Sequence, residues 1–262
     1  MNITQRPLKA LQDISQLPQL YLGAIFLAEA VTSLISPEIG LFLHSLLMVV
    51  LLFHAVSLAE HPVHRLLLAL IFAPLIRIIS LAIPLGTIPT LYWYIIMGTP
   101  MLAAAYVFIR GLNIAPQAAG LAIGKHPLLQ LLAAFSGFGL GYMEYLILRP
   151  DPLIEGAGFA GLVVAAIVLL IFTGFMEELV FRGIIQHMAY SSFGRHGILY
   201  TATLFAVLHL GYRSIPDLAV VFVAGLFFGW ITEKTGSIWG VTLGHGLTNI
   251  MLLIILPLAM AA

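Results

Sequence analysis

The chain has 262 residues, of which 61% are apolar and 8% are charged. Soluble domains carry about a quarter of their residues as charged side chains, so this composition excludes a soluble globular protein and predicts a polytopic integral membrane protein. The formal net charge of zero gives no basic field for a nucleic-acid partner. The lack of cysteine in the sequence excludes disulfides, thiolate metal sites and cysteine nucleophiles.

Residues 1–19 are polar and mildly basic, and they lack the basic, apolar and small-residue order of a cleaved signal peptide. We expect them to form a retained lead-in on the cytoplasmic side. The rest of the chain divides into N-terminal transmembrane helices over 20–125 and a transmembrane core over 126–262. The core carries nearly all of the polar groups that are suited to chemistry.

A transmembrane helix needs about 20 mostly apolar residues. On that criterion the sequence predicts an all-α membrane protein with eight or nine transmembrane helices. The helices that carry the candidate catalytic residues lie in the C-terminal half. The nine candidates are 20–36, 39–58, 66–84, 91–110, 128–148, 159–181, 198–212, 217–233 and 238–260. The first and seventh candidates are short, and the sixth continues as a helix to about residue 190, so eight spans are an alternative to nine.

The distribution of basic residues favours a cytoplasmic N-terminus. With nine spans in that orientation, seven Lys and Arg residues fall in inner segments and two in outer segments, as the positive-inside rule favours. The inner ones are Arg6, Lys9, Arg65, Arg110, Lys125, Arg195 and Lys234, and the outer ones are Arg149 and Arg213. The cysteine-free, compact and loop-poor chain separately predicts a protein of a prokaryotic cell membrane.

Three charged residues interrupt the sixth candidate span, in the sequence IFTGFMEELVFRGII at 171–185. Glu178 and Arg182 are four residues apart with the acid first, which is the favourable order for a helical ion pair. Glu177 faces Phe181 at its own i+4 position and has no local partner. Because an unpaired acid at mid-membrane costs about 2.5–3.5 kcal/mol, Glu177 must find a distant partner, water or a proton.

Distant partners for Glu177 occur on two later candidate spans. Phe205 and His209 are four residues apart on the seventh candidate, and His245 and Asn249 are four apart on the ninth. Small residues let membrane helices approach closely. Three of them surround His245: Gly240, Gly244 and Gly246.

One glutamate, two histidines and one asparagine on three helices can hydrolyse a carbonyl compound without a metal or a covalent nucleophile. A Glu and a His jointly deprotonate a water molecule, which attacks the carbonyl carbon. The second His and the Asn then donate hydrogen bonds to the developing oxyanion.

The same residues resemble the motifs of a known family. The sequence EELVFR at 177–182 is similar to the EExxxR motif of the CAAX-processing and bacteriocin-processing (CPBP or ABI, Rce1-like) intramembrane glutamate proteases. Phe205 and His209 fit the family's FxxxH motif, and His245 and Asn249 fit its HxxxN motif, all in the family's order. The resemblance covers about 130–262.

This resemblance implies an intramembrane endopeptidase with a peptide or protein substrate at or within the lipid bilayer. Glu177 would be the general base on a water shared with His209, and His245 and Asn249 would form the oxyanion site. Supporting positions would be held by Glu178, Arg182 and Phe205. The family's glutamate-type chemistry implies no cofactor.

Two other readings stay open. In a zinc-dependent membrane protease, Glu177, His209 and His245 could be the three protein ligands, although no HExxH motif is present. Buried charges also build proton relays and structural networks, so the chain could be a transporter or a non-proteolytic scaffold, immunity or regulatory protein. A second copy of the site, as paired transporter halves often show, is not evident.

The remaining polar residues of the spans have structural interpretations. Glu29 and Arg77 are candidates for an ion pair between the first and third spans. His44 and His54 are expected to be hydrogen-bonded packing residues. Glu144 could line the entrance of the site, but we expect it to be an interfacial anchor.

Overall fold

The computed structural model describes residue 14 and residues 16–83, 87–156 and 158–260. Within these ranges the regular elements are all helical, and eight helices are long and apolar enough to cross a membrane. The predicted fold class, an all-α polytopic membrane protein, is confirmed. Most of the predicted lead-in over 1–19 lies outside the described residues.

The helices follow one another with short connections. In chain order they are α1 (Leu17–Leu34), α2 (Pro37–Ser57), α3 (His64–Ala82), α4 (Thr90–Gly111), α5 (Pro127–Leu148), α6 (Phe159–Phe193), α7 (His196–Val207), α8 (Ile215–Thr235) and α9 (Trp239–Met260). All except α7 belong to the eight of spanning length.

Helix α7 corrects the prediction of a spanning helix over 198–212. It has 12 residues, which at 1.5 Å per residue cover about 18 Å of a hydrocarbon core that is about 30 Å thick. A single 3₁₀ turn, Leu210–Tyr212, follows it, and Arg213 has a left-handed backbone with φ of 53°. Gly211 and Pro216 lie where a continued helix would run, and both residue types disfavour a helix interior.

Helix α6 is the centre of the molecule. Its side chains Met176, Val180, Ile184 and Ile185 have no exposed surface. Two π-helical stretches, Leu170–Phe175 and Leu179–Gln186, flank the short α-helical piece Met176–Glu178. Such widened turns recur at functional sites, because they change which side chains face a neighbouring helix.

Glycines bring α9 into backbone contact with α5 and α6. A Cβ atom added at Gly174 of α6 would lie 3.0 Å from the Cα of Gly246, and one added at Gly246 would lie 2.5 Å from a side-chain carbon of Leu170. One added at Gly137 of α5 would collide with the carbonyl oxygen of Gly244. The close approach predicted from the glycines around His245 is therefore confirmed at Gly244 and Gly246, and it fixes the position of α9.

Two glycines of α5 give a matched test of this packing. Gly137→Ala is expected to lower the free energy of unfolding by about 1–3 kcal/mol, because the new methyl group overpacks the contact with α9. Gly139→Ala lies in the same helix, with nothing within 4 Å of the added atom, and should leave stability unchanged or raise it slightly. Thermal unfolding in detergent measures both, and equal effects of the two substitutions would contradict the packing described here.

Candidate active site

Glu178 joins α6 to α9. Its Oε1 accepts a hydrogen bond from Nη1 of Arg182 at 2.9 Å and one from Nδ1 of His245 at 2.8 Å. The Glu178 side chain has no exposed surface. The predicted helical pair of Glu178 and Arg182 is confirmed, and the bond to His245 adds a link that orients the imidazole ring.

Arg182 and His209 pack on the ring of Phe205. The guanidinium carbon of Arg182 lies 4.6 Å from the ring centroid, within the range of a cation–π contact. This contact matters because Nε and Nη2 of Arg182 are buried without a hydrogen-bond partner in the described part of the chain. The Phe205 ring also contacts Phe181 at 4.8 Å and His209 at 4.6 Å between centroids.

Glu177 is the more accessible of the two adjacent acids. Its side chain is 21% exposed, and its Oε2 lies 3.8 Å from Nε2 of His245, which is longer than a hydrogen bond. His245 therefore has a carboxylate at each ring nitrogen: Glu178 at bonding distance and Glu177 just beyond it. The distant partner expected for Glu177 is the Nε2 atom of His245.

His209 lies beyond the end of α7 and not within a spanning helix, which corrects its predicted position. Its Nδ1 is 2.8 Å from the carbonyl oxygen of Phe205. A carbonyl oxygen can only accept, so Nδ1 carries the proton and donates it. In the neutral ring this leaves Nε2 as a hydrogen-bond acceptor.

Asn249 is held by a residue that the sequence reasoning missed. Its Nδ2 donates to Oγ1 of Thr173 at 2.9 Å, and the Thr173 hydroxyl donates to the carbonyl oxygen of Leu169 at 2.5 Å. Thr173 lies four residues before Glu177, and this spacing places its hydroxyl on the same face of α6 as Glu177. That spacing was the signal in the sequence for a polar contact at Thr173.

The predicted site residues line two adjacent cavities. Glu177 and His209 line a cavity of about 320 Å³. His209, His245 and Asn249 line a smaller one of about 50 Å³. The two cavities share three lining residues: Phe205, His209 and Tyr212. The structure thus brings all four residues to one region, with His209 at the junction.

Two further acids line the smaller cavity. Glu144 is 9% exposed and lies in its wall, so it does not face the lipid as an interfacial anchor would. Asp217 is 1% exposed, and its Oδ2 is buried without a hydrogen-bond partner among the described residues. Asp217 was not predicted as a site residue from the sequence. The available signal was its position as a charged residue in the first turn of an otherwise apolar span.

The side chains proposed as zinc ligands do not form a metal-binding group. Among the described residues, no three His, Asp or Glu side chains are placed so that they could hold one ion. His209 and His245 each donate Nδ1–H to a protein acceptor, which leaves Nε2 of each ring as the nitrogen that could bind a metal. A zinc centre would require Glu177, His209 and His245 to move towards one another.

Glu177, His209, His245 and Asn249 thus line two adjacent cavities of a polytopic membrane protein. Residues 159–251 match the model of a family described as type II CAAX prenyl endopeptidase Rce1-like. This confirms the resemblance seen in the motifs, over a shorter segment than the predicted 130–262, and places an Rce1-like domain from α6 into α9. Searches of curated proteins and of solved structures found no match to the chain.

The buried pair of Glu178 and Arg182 can be tested by a double-mutant cycle. Glu178→Leu or Arg182→Leu alone is expected to lower the free energy of unfolding by about 3–5 kcal/mol, because each leaves a buried charge without its partner. The double substitution should cost clearly less than the sum of the two. Denaturation in mixed detergent micelles measures the three variants, and strictly additive losses would show that the pair is not coupled.

Proposed function

We propose that the chain is an intramembrane endopeptidase of CAAX-protease type, which hydrolyses a peptide bond with a water molecule activated by Glu177 and His209. The observation that carries this proposal is the position of His209. His209 lines both cavities, one with Glu177 and the other with His245 and Asn249, and its Nδ1 contact leaves Nε2 as the acceptor nitrogen of the neutral ring. The Rce1-like match over the same residues supports it.

In this mechanism the water lies in the larger cavity between Glu177 and Nε2 of His209. The Phe205 carbonyl fixes the His209 tautomer, so that Nε2 accepts one hydrogen bond from the water. The Glu177 carboxylate takes a proton from the water as its oxygen attacks the carbonyl carbon of the peptide bond. Among the described residues Glu177 makes no hydrogen bond that would have to break first, whereas Glu178 accepts two.

His245 and Asn249 stabilise the oxyanion that forms. Nδ1 of His245 donates to Glu178, and Nε2 lies 3.8 Å from Oε2 of Glu177. In the proposed step both ring nitrogens carry a proton, and Nε2–H donates a hydrogen bond to the oxyanion. Asn249 donates one amide hydrogen to Thr173 and keeps the other for the oxyanion. When the tetrahedral intermediate collapses, Glu177 returns its proton to the leaving amine nitrogen, so that carboxyl and amino products form.

The substrate is proposed to be a peptide or protein segment at or within the bilayer. Apolar side chains line the larger cavity beside Glu177, among them Leu81, Trp93 and Met97. The description of the matched family names a CAAX prenyl endopeptidase. A prenylated C-terminal peptide is therefore the first substrate class to assay, beside the same peptide without its prenyl group.

Substitution of the proposed base and its partner tests the mechanism. Glu177→Gln and His209→Ala are each expected to lower the cleavage rate by about 10²–10⁴-fold, the usual contribution of a general acid–base group. Mass spectrometry of the products measures the rate and locates the cut bond, and thermal unfolding shows that both variants fold.

Two exposed residues provide matched controls. Glu60→Gln and His196→Ala make the same chemical changes at residues that face away from the site, and both should retain full activity. Full turnover by Glu177→Gln would overturn the proposed mechanism. If the wild-type chain binds peptides but cuts none, the non-proteolytic scaffold becomes the better interpretation.

Metal removal separates the glutamate mechanism from the zinc alternative. We expect purified active protein to contain far less than one zinc per chain and to keep its activity after treatment with a membrane-permeant chelator. Elemental analysis and the cleavage assay on the same sample measure both quantities. Stoichiometric zinc whose removal abolishes cleavage, and whose return restores it, would favour the metalloprotease.

A further inference from the structure

A buried ion cluster connects the first three spans. Both carboxylate oxygens of Glu29 on α1 pair with Arg77 on α3: Nε of Arg77 lies 2.8 Å from Oε1 and Nη2 lies 2.8 Å from Oε2. Nε2 of His44 on α2 is 3.3 Å from Oε1. Glu29 and His44 have no exposed surface, and the ion pair of Glu29 and Arg77 expected from the sequence is confirmed. The expectation that His44 is hydrogen-bonded is wrong, because neither of its ring nitrogens has a hydrogen-bond partner among the described residues.

Arg77 also reaches the backbone beside the proposed catalytic histidine. Its Nη2 donates a hydrogen bond of 2.8 Å to the carbonyl oxygen of Leu208, the residue that precedes His209. The chain leaves the α-helix at Val207, so the Leu208 carbonyl lies where the helical hydrogen-bond ladder stops. Non-helical backbone at membrane depth is tolerated only where the protein satisfies it, and Arg77 supplies the donor.

We propose that Arg77, held in place by Glu29, is a positioning residue for His209. The guanidinium fixes the peptide group between Leu208 and His209, and the Phe205 carbonyl fixes the ring through Nδ1. These two contacts together hold Nε2 at the junction of the cavities. The inference rests on the proposed function for its kinetic consequence, but the effect on the backbone is independent of it.

The geometry distinguishes this role from that of an ordinary structural ion pair. Arg77 lines the larger cavity together with Glu177 and His209, and its side chain is 16% exposed, whereas Glu29 is sealed in the protein. The planar guanidinium donates from Nε to Oε1 of Glu29 and from Nη2 to the Leu208 carbonyl, so two donors of one rigid fork hold the carboxylate and the backbone together. A lysine carries the same charge without this fork, so Lys is not an equivalent replacement.

Three amides report on the segment that Arg77 would hold. The N–H of His209 donates to Ala206, that of Tyr212 to His209, and that of Arg213 to Leu210, each to a carbonyl oxygen. If Arg77 fixes this turn, its loss opens these bonds and speeds amide hydrogen exchange over 208–213. Exchange in the rest of the molecule would change little.

The experiment compares Arg77→Gln, Arg77→Lys and the double variant Glu29→Gln/Arg77→Gln with the wild type. Arg65→Gln is the control, since Arg65 is an exposed arginine on the same helix. The double variant leaves no buried carboxylate unpaired, so it keeps the test valid if Arg77→Gln alone fails to fold. Each protein is measured for exchange by mass spectrometry and for cleavage of the prenylated peptide.

The expected result is at least tenfold faster exchange over 208–213 in Arg77→Gln and in the double variant. We also expect a 10- to 100-fold lower kcat with KM within about twofold, because misplacing a catalytic group weakens the transition state more than substrate binding. Arg77→Lys should fall between these variants and the wild type, and Arg65→Gln should match the wild type.

Other outcomes overturn the inference in recognisable ways. Unchanged exchange with lower kcat would mean that Arg77 acts through its charge and not by holding the turn. If amide hydrogen exchange in the double variant rises equally throughout the chain, Glu29 and Arg77 stabilise the whole protein and do not specifically hold the turn over 208–213. If the wild type cleaves no peptide, the proposed function fails, and the exchange data alone then decide whether Arg77 holds the turn.

Discussion

The hydrogen bonds that converge on Oε1 of Glu178 organise the site. In a membrane protein every buried charge must be compensated within the protein, because no bulk water is available to solvate it. Glu178 compensates Arg182 along its own helix and binds His245 on α9. The same carboxylate therefore neutralises a charge and orients an imidazole, and this orientation depends on the backbone contact of α6 with α9 at Gly174 and Gly246.

The early end of α7 is the second determinant of the site. A spanning helix at this position would carry His209 in a regular turn, with its backbone satisfied by the helix itself. Since α7 stops at Val207, the following turn enters the region between the two cavities. The free Leu208 carbonyl then needs a donor from elsewhere, and Arg77 provides it. The N-terminal helices, which lie outside the family match, thus contribute to the part of the chain that carries His209.

Much of the fold and part of the site could be predicted because the underlying signals are local. Apolar runs locate the spanning helices, and i, i+4 spacing predicts the pair of Glu178 and Arg182. The spacing of residues along the sequence does not predict which of the adjacent acids Glu177 and Glu178 binds His245, which lies 67 residues after Glu178. That choice depends on how α6 is rotated about its axis, and the π-helical stretches on either side of Met176–Glu178 alter the rotation.

The end of α7 was equally hard to foresee. The sequence from 204 to 210 is apolar apart from His209, so hydropathy alone continues the helix past its true end. Thr173 and Asp217 were missed because single polar residues within spans are commonly satisfied by backbone or by a helix terminus. Their importance comes from neighbours on other helices, Asn249 for Thr173 and the smaller cavity for Asp217.

In the proposed mechanism the adjacent glutamates divide two tasks that one carboxylate could not perform. A group that orients His245 and neutralises Arg182 must keep its charge and its bonds throughout the reaction, as fully buried Glu178 can. A general base must gain and lose a proton, which requires a carboxylate that faces a cavity and is not held by hydrogen bonds. Glu177 meets this requirement within the described part of the chain, since it lines the larger cavity and approaches His245 no closer than 3.8 Å. Glu177 and Asn249 line different cavities. In the proposed mechanism the water attacks the peptide bond from the cavity of Glu177, and the oxyanion is stabilised from the cavity of Asn249. The peptide bond must therefore lie beside His209, which lines both cavities.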